Sequence, residues 1–215
     1  MEYVLLGWPP GGPTLRLDHR RFAYAGKFVV SNTGKAVVRP EGDEADGVGA
    51  DEGPSTAPDG AEYDTDILAA VAFDADRTDD RTLRFRYITV RSDLQGEGVG
   101  PRLATFVAAK AEQRGYDRIA IAVNNPFAYE AMYKAGFAWT GRESGLAELV
   151  LERPAGPIDD TGSTPDPGTY HGGLERFRER DFGEPEASFV AGKVGSDPPA
   201  RVAVPDGVDR TDPDA

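Results

Sequence analysis

The fold is decided by the stretch Val90-Arg91-Ser92-Asp93-Leu94-Gln95-Gly96-Glu97-Gly98-Val99-Gly100-Pro101, where an apolar strand ends in a glycine-rich turn that opens into a helix. The glycines at positions 96, 98 and 100 let the backbone bend without a Cβ clash. N–H groups in the first turn of a helix have no intrahelical acceptor, and the helix dipole favours negative charge beside them. The turn therefore predicts a binding site for phosphate or pyrophosphate.

Two common phosphate-binding motifs do not match this turn. A nucleotide P-loop ends in Gly-Lys-Ser/Thr, whereas Gly100 is followed by Pro101 and Arg102. A dinucleotide-binding motif needs a third glycine where this chain has Pro101. A glycine-rich turn that serves only local geometry is the alternative left open.

The sequence after the turn predicts helix, strand and helix. Residues 101–114 carry apolar side chains at helical spacing and are followed by Gly115, a typical residue after a helix end. The alternating stretch 118–123 predicts a strand, and Asn124-Asn125-Pro126 predicts the start of a second helix. This second helix ends at Gly136-Phe137.

These residues carry a resemblance to the GNAT superfamily of N-acetyltransferases, which covers about residues 67–152. Its acyl-CoA-binding motif is Gln/Arg-x-x-Gly-x-Gly/Ala, and Gln95, Gly98 and Gly100 match the three fixed positions. Its second signature ends a helix in Tyr-x-x-Gly-Phe, as Tyr133-Lys134-Ala135-Gly136-Phe137 does here. The resemblance implies an α/β acyl-CoA N-acyltransferase fold, in which helices flank a mixed central sheet with two splayed strands.

The chain is expected to divide into three parts. The acetyltransferase domain takes residues 1–153, with an acidic disordered insertion at 41–66 that holds ten acids and no Lys or Arg. Residues 154–194 form a C-terminal extension, whose stretch 170–193 predicts one or two short helices docking on the domain. Residues 195–215 are expected to be an acidic disordered tail.

Strands and one helix are also expected outside the motifs. The N-terminal part predicts a helix around His19 to Ala25. The expected strands are 3–7, 28–31, 35–39, 67–73, 83–90, 118–123, 137–140 and 147–152.

Acetyl-CoA is the cosubstrate that the resemblance implies, and its contacts fall on three segments. Backbone groups of the strand end would bond the pantetheine arm, and N–H groups of the turn would hold the pyrophosphate. Asn125 is a further candidate, and capping of the second helix explains it equally well. The predicted cosubstrate-binding residues are Ile88, Thr89, Val90, Gln95, Gly96, Glu97, Gly98, Val99, Gly100 and Asn125.

Catalysis is predicted to depend on Tyr133, which the resemblance makes the general acid for the departing thiolate. Packing of the helix on the sheet by the aromatic ring is the alternative. No glutamate lies on the strand 83–90 to act as the base. Arg84, Arg86 and Tyr87 could line a site for an anionic amine, although alternating exposure on a sheet explains them as well.

Composition bounds the remaining possibilities. The 215 residues carry a net charge of −13, with no cysteine and two histidines, so neither a metal site nor nucleic-acid binding is expected. Asp outnumbers Glu and only five lysines accompany nineteen arginines, a usage that resembles haloarchaeal proteins. No apolar run approaches the roughly 20 residues of a membrane span and no leader is evident, so a cytoplasmic monomer or homodimer is expected.

Two functions follow from these observations. The first is an enzyme that transfers an acetyl group from acetyl-CoA to a primary amine of an unidentified acceptor, a small molecule or a protein. The second is a catalytically inactive acyl-CoA-binding sensor or interaction module of the same fold.

Overall fold

The computed structural model describes residues 1–42, 60–145, 147–158 and 166–205. Within these residues, seven strands form one mixed sheet in the order β1-β2-β3-β4-β5-β7-β6. Among these seven strands, only the β4–β5 pair is parallel. The strands are β1 (Glu2–Gly7), β2 (Gly34–Arg39), β3 (Ala69–Ala75), β4 (Thr82–Val90), β5 (Arg118–Val123), β6 (Ala138–Glu143) and β7 (Leu149–Pro154). The helices are α1 (Val99–Gln113), α2 (Pro126–Lys134), α3 (Pro167–Arg178) and α4 (Glu186–Gly192). The predicted mixed α/β fold is confirmed.

The two faces of the sheet have separate apolar cores. One core lies under α1 and α2 and includes Phe85, Leu103 and Val107. The other lies under the connection between β1 and β2, which contributes Phe22 and Phe28. The central strands β2 and β3 are buried on both faces, so they contain runs of alanine and valine rather than alternating polar residues.

The connection between β1 and β2 differs from prediction. The expected helix at 19–25 and the expected strand at 28–31 are both wrong, because this segment winds through turns with one 3₁₀ turn at Ala25–Lys27. Asp18 causes the first of these turns, since its side chain accepts the N–H of Arg20 and its carbonyl accepts the N–H groups of Arg21 and Phe22. Buried anchors such as Phe28 then hold the segment against the sheet.

Helix α1 begins at Val99, two residues before the predicted start. Gly98 precedes it in the left-handed conformation, with φ 78°. Pro101 therefore occupies the third helical position, where its missing N–H costs nothing because first-turn N–H groups have no intrahelical acceptor. The helix ends as expected before Gly115, whose φ of 85° is also left-handed.

The part of the chain after β7 contains the helices α3 and α4, which pack against α2. The domain boundaries at 153 and 194 stay predictions. Most of the acidic insertion (43–59) and the end of the tail (206–215) lie outside the described residues. No helix in the described part of the chain is long and apolar enough to cross a bilayer.

Candidate functional site

Strands β4 and β5 separate halfway along their length. Their parallel pairing runs from Thr82 opposite Arg118 to Phe85 opposite Ile121 and ends there. Beyond that point β3 is the one described strand that pairs with β4, as in Thr89 opposite Ala70, and β5 continues beside β7. The backbone edge of residues 86–90 that faces β5 is therefore open to another extended chain.

A β-bulge marks the place where the strands part. Ala72 of β3 pairs with Tyr87, and the next residue, Phe73, pairs with Phe85, so Arg86 is the extra residue on β4. A bulge bends its strand and increases the local twist. The bend turns the end of β4 away from β5 and opens the sheet at the predicted site.

The glycine-rich turn directly follows this opening. A short 3₁₀ turn at Ser92–Leu94 leads to Gly96 and Gly98, whose φ values of 89° and 78° are left-handed. A Cβ on Gly96 would meet no atom within 4 Å, so this backbone faces open space. A Cβ on Gly100 would lie 3.1 Å from Val90 Cγ2, so α1 packs closely on β4 at this glycine. The first-turn N–H groups of α1, which have no intrahelical acceptor, directly follow this turn.

Two arginines and a threonine surround the turn. Arg102 Nη1 donates to the carbonyl of Glu97 at 3.0 Å, which holds its guanidinium beside the turn. Arg91 is buried and bonds Asp93 through Nε and Nη2, and the charge-assisted bonds lower the pKa of Asp93. Within the described residues, Arg91 Nη1 and the Oγ1 of Thr89 are buried without a hydrogen-bond partner. The strand end therefore carries two donors that the protein itself leaves unused.

Asn125 lies at the same edge of the sheet as the turn, because β4 and β5 run parallel and their carboxyl ends meet there. Its side chain accepts the N–H of Ala128 at 2.8 Å and caps α2. The structure therefore contains the helix-capping contact that the sequence offered as one of two explanations for Asn125. The cosubstrate contact of Asn125 stays a prediction.

Tyr133 lies on α2, two turns further from the opening, and is 3% exposed. Its ring packs against that of Tyr170 of α3, with centroids 4.6 Å apart. Burial raises the pKa of Tyr133 above its usual value, Arg201 opposes this rise, and Asp166 adds to it. The phenol consequently keeps its proton at neutral pH, as a general acid must, but it lies beneath the C-terminal extension.

The structure places Arg84, Arg86 and Tyr87 in one cleft with residues that the sequence did not single out. These are Lys27 of the β1–β2 connection and Arg77 of the turn after β3, together with Asp74 of β3 and Asp76 directly after it. No spacing pattern relates positions 27 and 77 to positions 84–87. Only the packing of the connection onto the sheet brings them together.

Comparison with known proteins gives one family. The model of the acetyltransferase (GNAT) family matches residues 30–137, half of the chain, and no curated protein matches. Among solved structures, an N-acetyltransferase from Staphylococcus aureus Mu50 is 14% identical, with 57% of this chain and 68% of that chain covered and a TM-score of 0.40. A nourseothricin acetyltransferase is 16% identical, with 72% and 98% covered and a TM-score of 0.42. A variant of the cAMP-binding acyltransferase from Mycobacterium smegmatis is 16% identical, with a TM-score of 0.38; 60% of this chain aligns, across only 32% of that acyltransferase.

Proposed function

Because the chain belongs to the acetyltransferase (GNAT) family, we propose that it transfers an acetyl group from acetyl-CoA to a primary amine. The observation that carries this proposal is the separation of β4 from β5 directly beside the glycine-rich turn. An extended pantetheine arm needs an open strand edge, and a pyrophosphate needs clustered N–H groups. This chain offers both within residues 86–100.

The residues present fit acetyl-CoA, which supplies the thioester. Backbone groups of Ile88, Thr89 and Val90 would bond the pantetheine arm along the edge that β5 leaves open. The N–H groups of Gln95 to Gly100 would hold the pyrophosphate, with Arg102 adding positive charge at 3.0 Å from the Glu97 carbonyl. The unused donors of Thr89 and Arg91 support a polar ligand at this strand end.

Acyl transfer then requires three events at the thioester carbon. The neutral amine attacks the carbonyl carbon, the developing oxyanion takes a backbone N–H of β4, the strand that ends at Val90, and the carbon–sulfur bond breaks. The nitrogen loses a proton as the amide forms, and the departing thiolate gains one. Tyr133 would supply that second proton, and its raised pKa supports a phenol that stays protonated.

A second function has one observation in its favour. Tyr133 is buried against Tyr170 beneath the C-terminal extension, and β4 carries no glutamate that could serve as base. A chain that binds acyl-CoA without turnover, as a sensor or interaction module, would need neither an exposed Tyr133 nor a general base on β4.

The setting in which the protein works is also a proposal. Its net charge of −13 supports adaptation of a cytoplasmic monomer or homodimer to molar salt, in which the repulsion among carboxylates is screened. A thermal unfolding midpoint that rises steadily between 0.1 and 2 M KCl is the expected result, and a midpoint independent of KCl would contradict it.

Tyr133→Phe separates the enzyme from the module. The substitution keeps the ring packing and removes the proton donor, so kcat for amine-dependent release of CoA thiol should fall roughly 100-fold. Tyr129→Phe is the matched control on the same helix, because the Tyr129 hydroxyl donates to the backbone carbonyls of Thr169 and Tyr170. Equal turnover of Tyr133→Phe and the parent would remove this tyrosine from the mechanism, and no turnover of the parent across primary amines would favour the module.

A further inference from the structure

A charged cleft of about 640 Å³ lies on the face of the sheet opposite α1 and α2. Its floor is formed by β3 and β4, and its wall by the β1–β2 connection at Val30 and Thr33. Its charged lining residues are Lys27, Asp74, Asp76, Arg77, Arg84 and Arg86.

The charge of this cleft is opposite in sign to that of the whole protein. Four of its charged lining residues are cations and two are carboxylates, whereas the chain as a whole carries 37 acids and 24 bases. A concave site lined by one excess charge concentrates ligands of the other charge. The cleft therefore favours an anion in a protein whose net charge is −13.

The two arginines on β4 are fixed by two acids, Asp74 of β3 and Asp76 directly after that strand. Arg84 pairs with Asp76, and Arg86 Nε donates to Asp74 at 2.7 Å. Asp76 also accepts the N–H and the hydroxyl of Thr78, and these bonds, followed by those from Arg84, lower its pKa. The acids are thus engaged as anions and neutralise the arginines of β4.

Lys27 and Arg77 are the cations that remain for a ligand. Both are exposed at the mouth of the cleft, and neither forms an ion pair with any described residue. Lys27 Nζ lies 5.9 Å from the centroid of the Tyr87 ring, which holds the ammonium over the cleft. One lysine and one arginine at a cleft mouth suit a carboxylate or a phosphate.

The cleft meets the proposed thioester position. A pantetheine arm that leaves the glycine-rich turn and follows β4 backwards passes Val90 first and reaches Arg86 after four residues, a distance of about 13 Å in an extended strand. Arg86 is the bulge residue at which β4 and β5 begin to part, and it also lines the cleft. Helices α1 and α2 cover the other face, so an acceptor reaches this point from the cleft side.

We propose that the charged cleft is the acceptor site and that it selects a primary amine carrying an anionic group, which Lys27 and Arg77 bind. This inference rests on the proposed acetyl transfer. The anionic group is not changed in the reaction; it orients the amine, whose nitrogen forms the amide while the thioester carbon–sulfur bond breaks and the sulfur takes up a proton.

Matched pairs of amines test the selection. Lysine is compared with cadaverine, which lacks the carboxylate, and phosphoethanolamine with ethanolamine, in 2 M KCl with release of CoA thiol as the readout. At about 1 M salt the screening length is near 3 Å, so only direct contacts discriminate. In at least one pair the anionic member should have the higher kcat/KM by roughly tenfold or more, and the pair that responds distinguishes carboxylate from phosphate. Equal or better transfer to cadaverine and to ethanolamine, which lack the anionic group, would overturn the inference while leaving acetyl transfer in place.

Variants that remove one positive charge test whether Lys27 and Arg77 cause the preference for an anionic amine. Lys27→Gln and Arg77→Gln should each raise KM for the anionic amine roughly tenfold, with kcat and the KM for cadaverine little changed. Arg178→Gln removes the same charge from an exposed pair on α3, outside the cleft, and is the control. An effect of Arg178→Gln as large as that of the cleft variants would overturn the assignment.

Calorimetric titration with lysine and phosphoethanolamine, without acetyl-CoA, separates this inference from the proposed function. Binding by the parent that weakens in Lys27→Gln and Arg77→Gln supports the cleft even if no acetyl group is transferred. If neither amine binds the folded protein and no pair differs in transfer, the cleft assignment is wrong. If acetyl-CoA itself does not bind, the proposed function fails on that separate measurement.

Discussion

At the scale of single residues, substitutions of Asn125 can separate its capping of α2 from the proposed contact with the cosubstrate. It caps α2 through Ala128 and lies beside the proposed pyrophosphate site. Aspartate caps a helix as well as asparagine does, so Asn125→Asp should leave the thermal unfolding midpoint unchanged. If Asn125 contacts the cosubstrate, the added negative charge should raise the Kd for acetyl-CoA about tenfold, which corresponds to about 1.4 kcal/mol.

Asn125→Ala provides the complementary measurement. Loss of the cap should destabilise the protein by about 1 kcal/mol in chemical denaturation. An Asn125→Asp protein with both the stability and the acetyl-CoA affinity of the parent would assign this residue to capping alone.

The glycines that end helices could be predicted from the sequence, whereas contacts between residues far apart in the chain could not. Gly115 and Gly136 end their helices with φ values of 85° and 86°, a geometry that the glycine itself indicates. The position of Tyr133 beneath Tyr170 depends on a helix 37 positions further along the chain. No local pattern in the sequence carries that contact.

At the scale of elements, Glu130 fastens the C-terminal extension to the domain. Its buried carboxylate pairs with Lys134 of the same helix and with Lys193 just after α4, at 2.9 and 2.5 Å, and accepts the hydroxyl of Tyr170 at 3.0 Å. Burial raises the pKa of Glu130, but the bonds from Lys193, Lys134 and Tyr170 outweigh it, so the pKa lies below the ordinary 4.5.

This network predicts a pH-dependent stability. A carboxyl group whose pKa is lowered on folding stabilises the protein above its unfolded pKa and loses that contribution as the pH falls through the folded pKa. Glu130→Gln should therefore cost on the order of 2 kcal/mol at pH 7 and progressively less between pH 4.5 and pH 3. Denaturant unfolding at both ends of the range measures the difference.

Glu175→Gln is the control for this prediction, because Glu175 pairs with Arg178 at an exposed site on α3. Its effect should be about 0.5 kcal/mol or less. A loss from Glu130→Gln that is the same at pH 7 and pH 3 would show that the charge of Glu130 does not hold the extension.

Strands and helices with a regular pattern of apolar residues were predicted correctly, whereas the irregular path of the β1–β2 connection was not. Alternation or buried apolar runs indicated β3, β4 and β5, and the structure contains each of them. In the connection, Leu15, Phe22 and Phe28 are spaced irregularly because each anchors a separate turn to the sheet. Irregular anchors have no period to detect, so the helix and the strand predicted there are wrong.

At the scale of the whole molecule, the mixed sheet and the opening between β4 and β5 followed from the family resemblance of the two motifs. The separation after Phe85 and Ile121 agrees with that expectation. The charged cleft could not be predicted, because it joins the β1–β2 connection to β3 and β4 across long stretches of sequence. Local propensity predicts elements, but such a cleft forms only when those elements pack.

The central claim is that residues 86–100 form an acyl-CoA site, and calorimetric titration with acetyl-CoA in 2 M KCl tests it most directly. Gly96→Ala and Gly115→Ala form a matched pair, since both glycines have left-handed φ values, 89° and 85°, and a Cβ on either would meet no atom within 4 Å. Both variants should therefore lose about 1 kcal/mol of stability through backbone strain. The account predicts saturable binding to acetyl-CoA and not to ATP, weakened at least roughly tenfold by Gly96→Ala and unchanged by Gly115→Ala. Absence of acetyl-CoA binding by the folded parent, or equal affinities of the two variants, would contradict it.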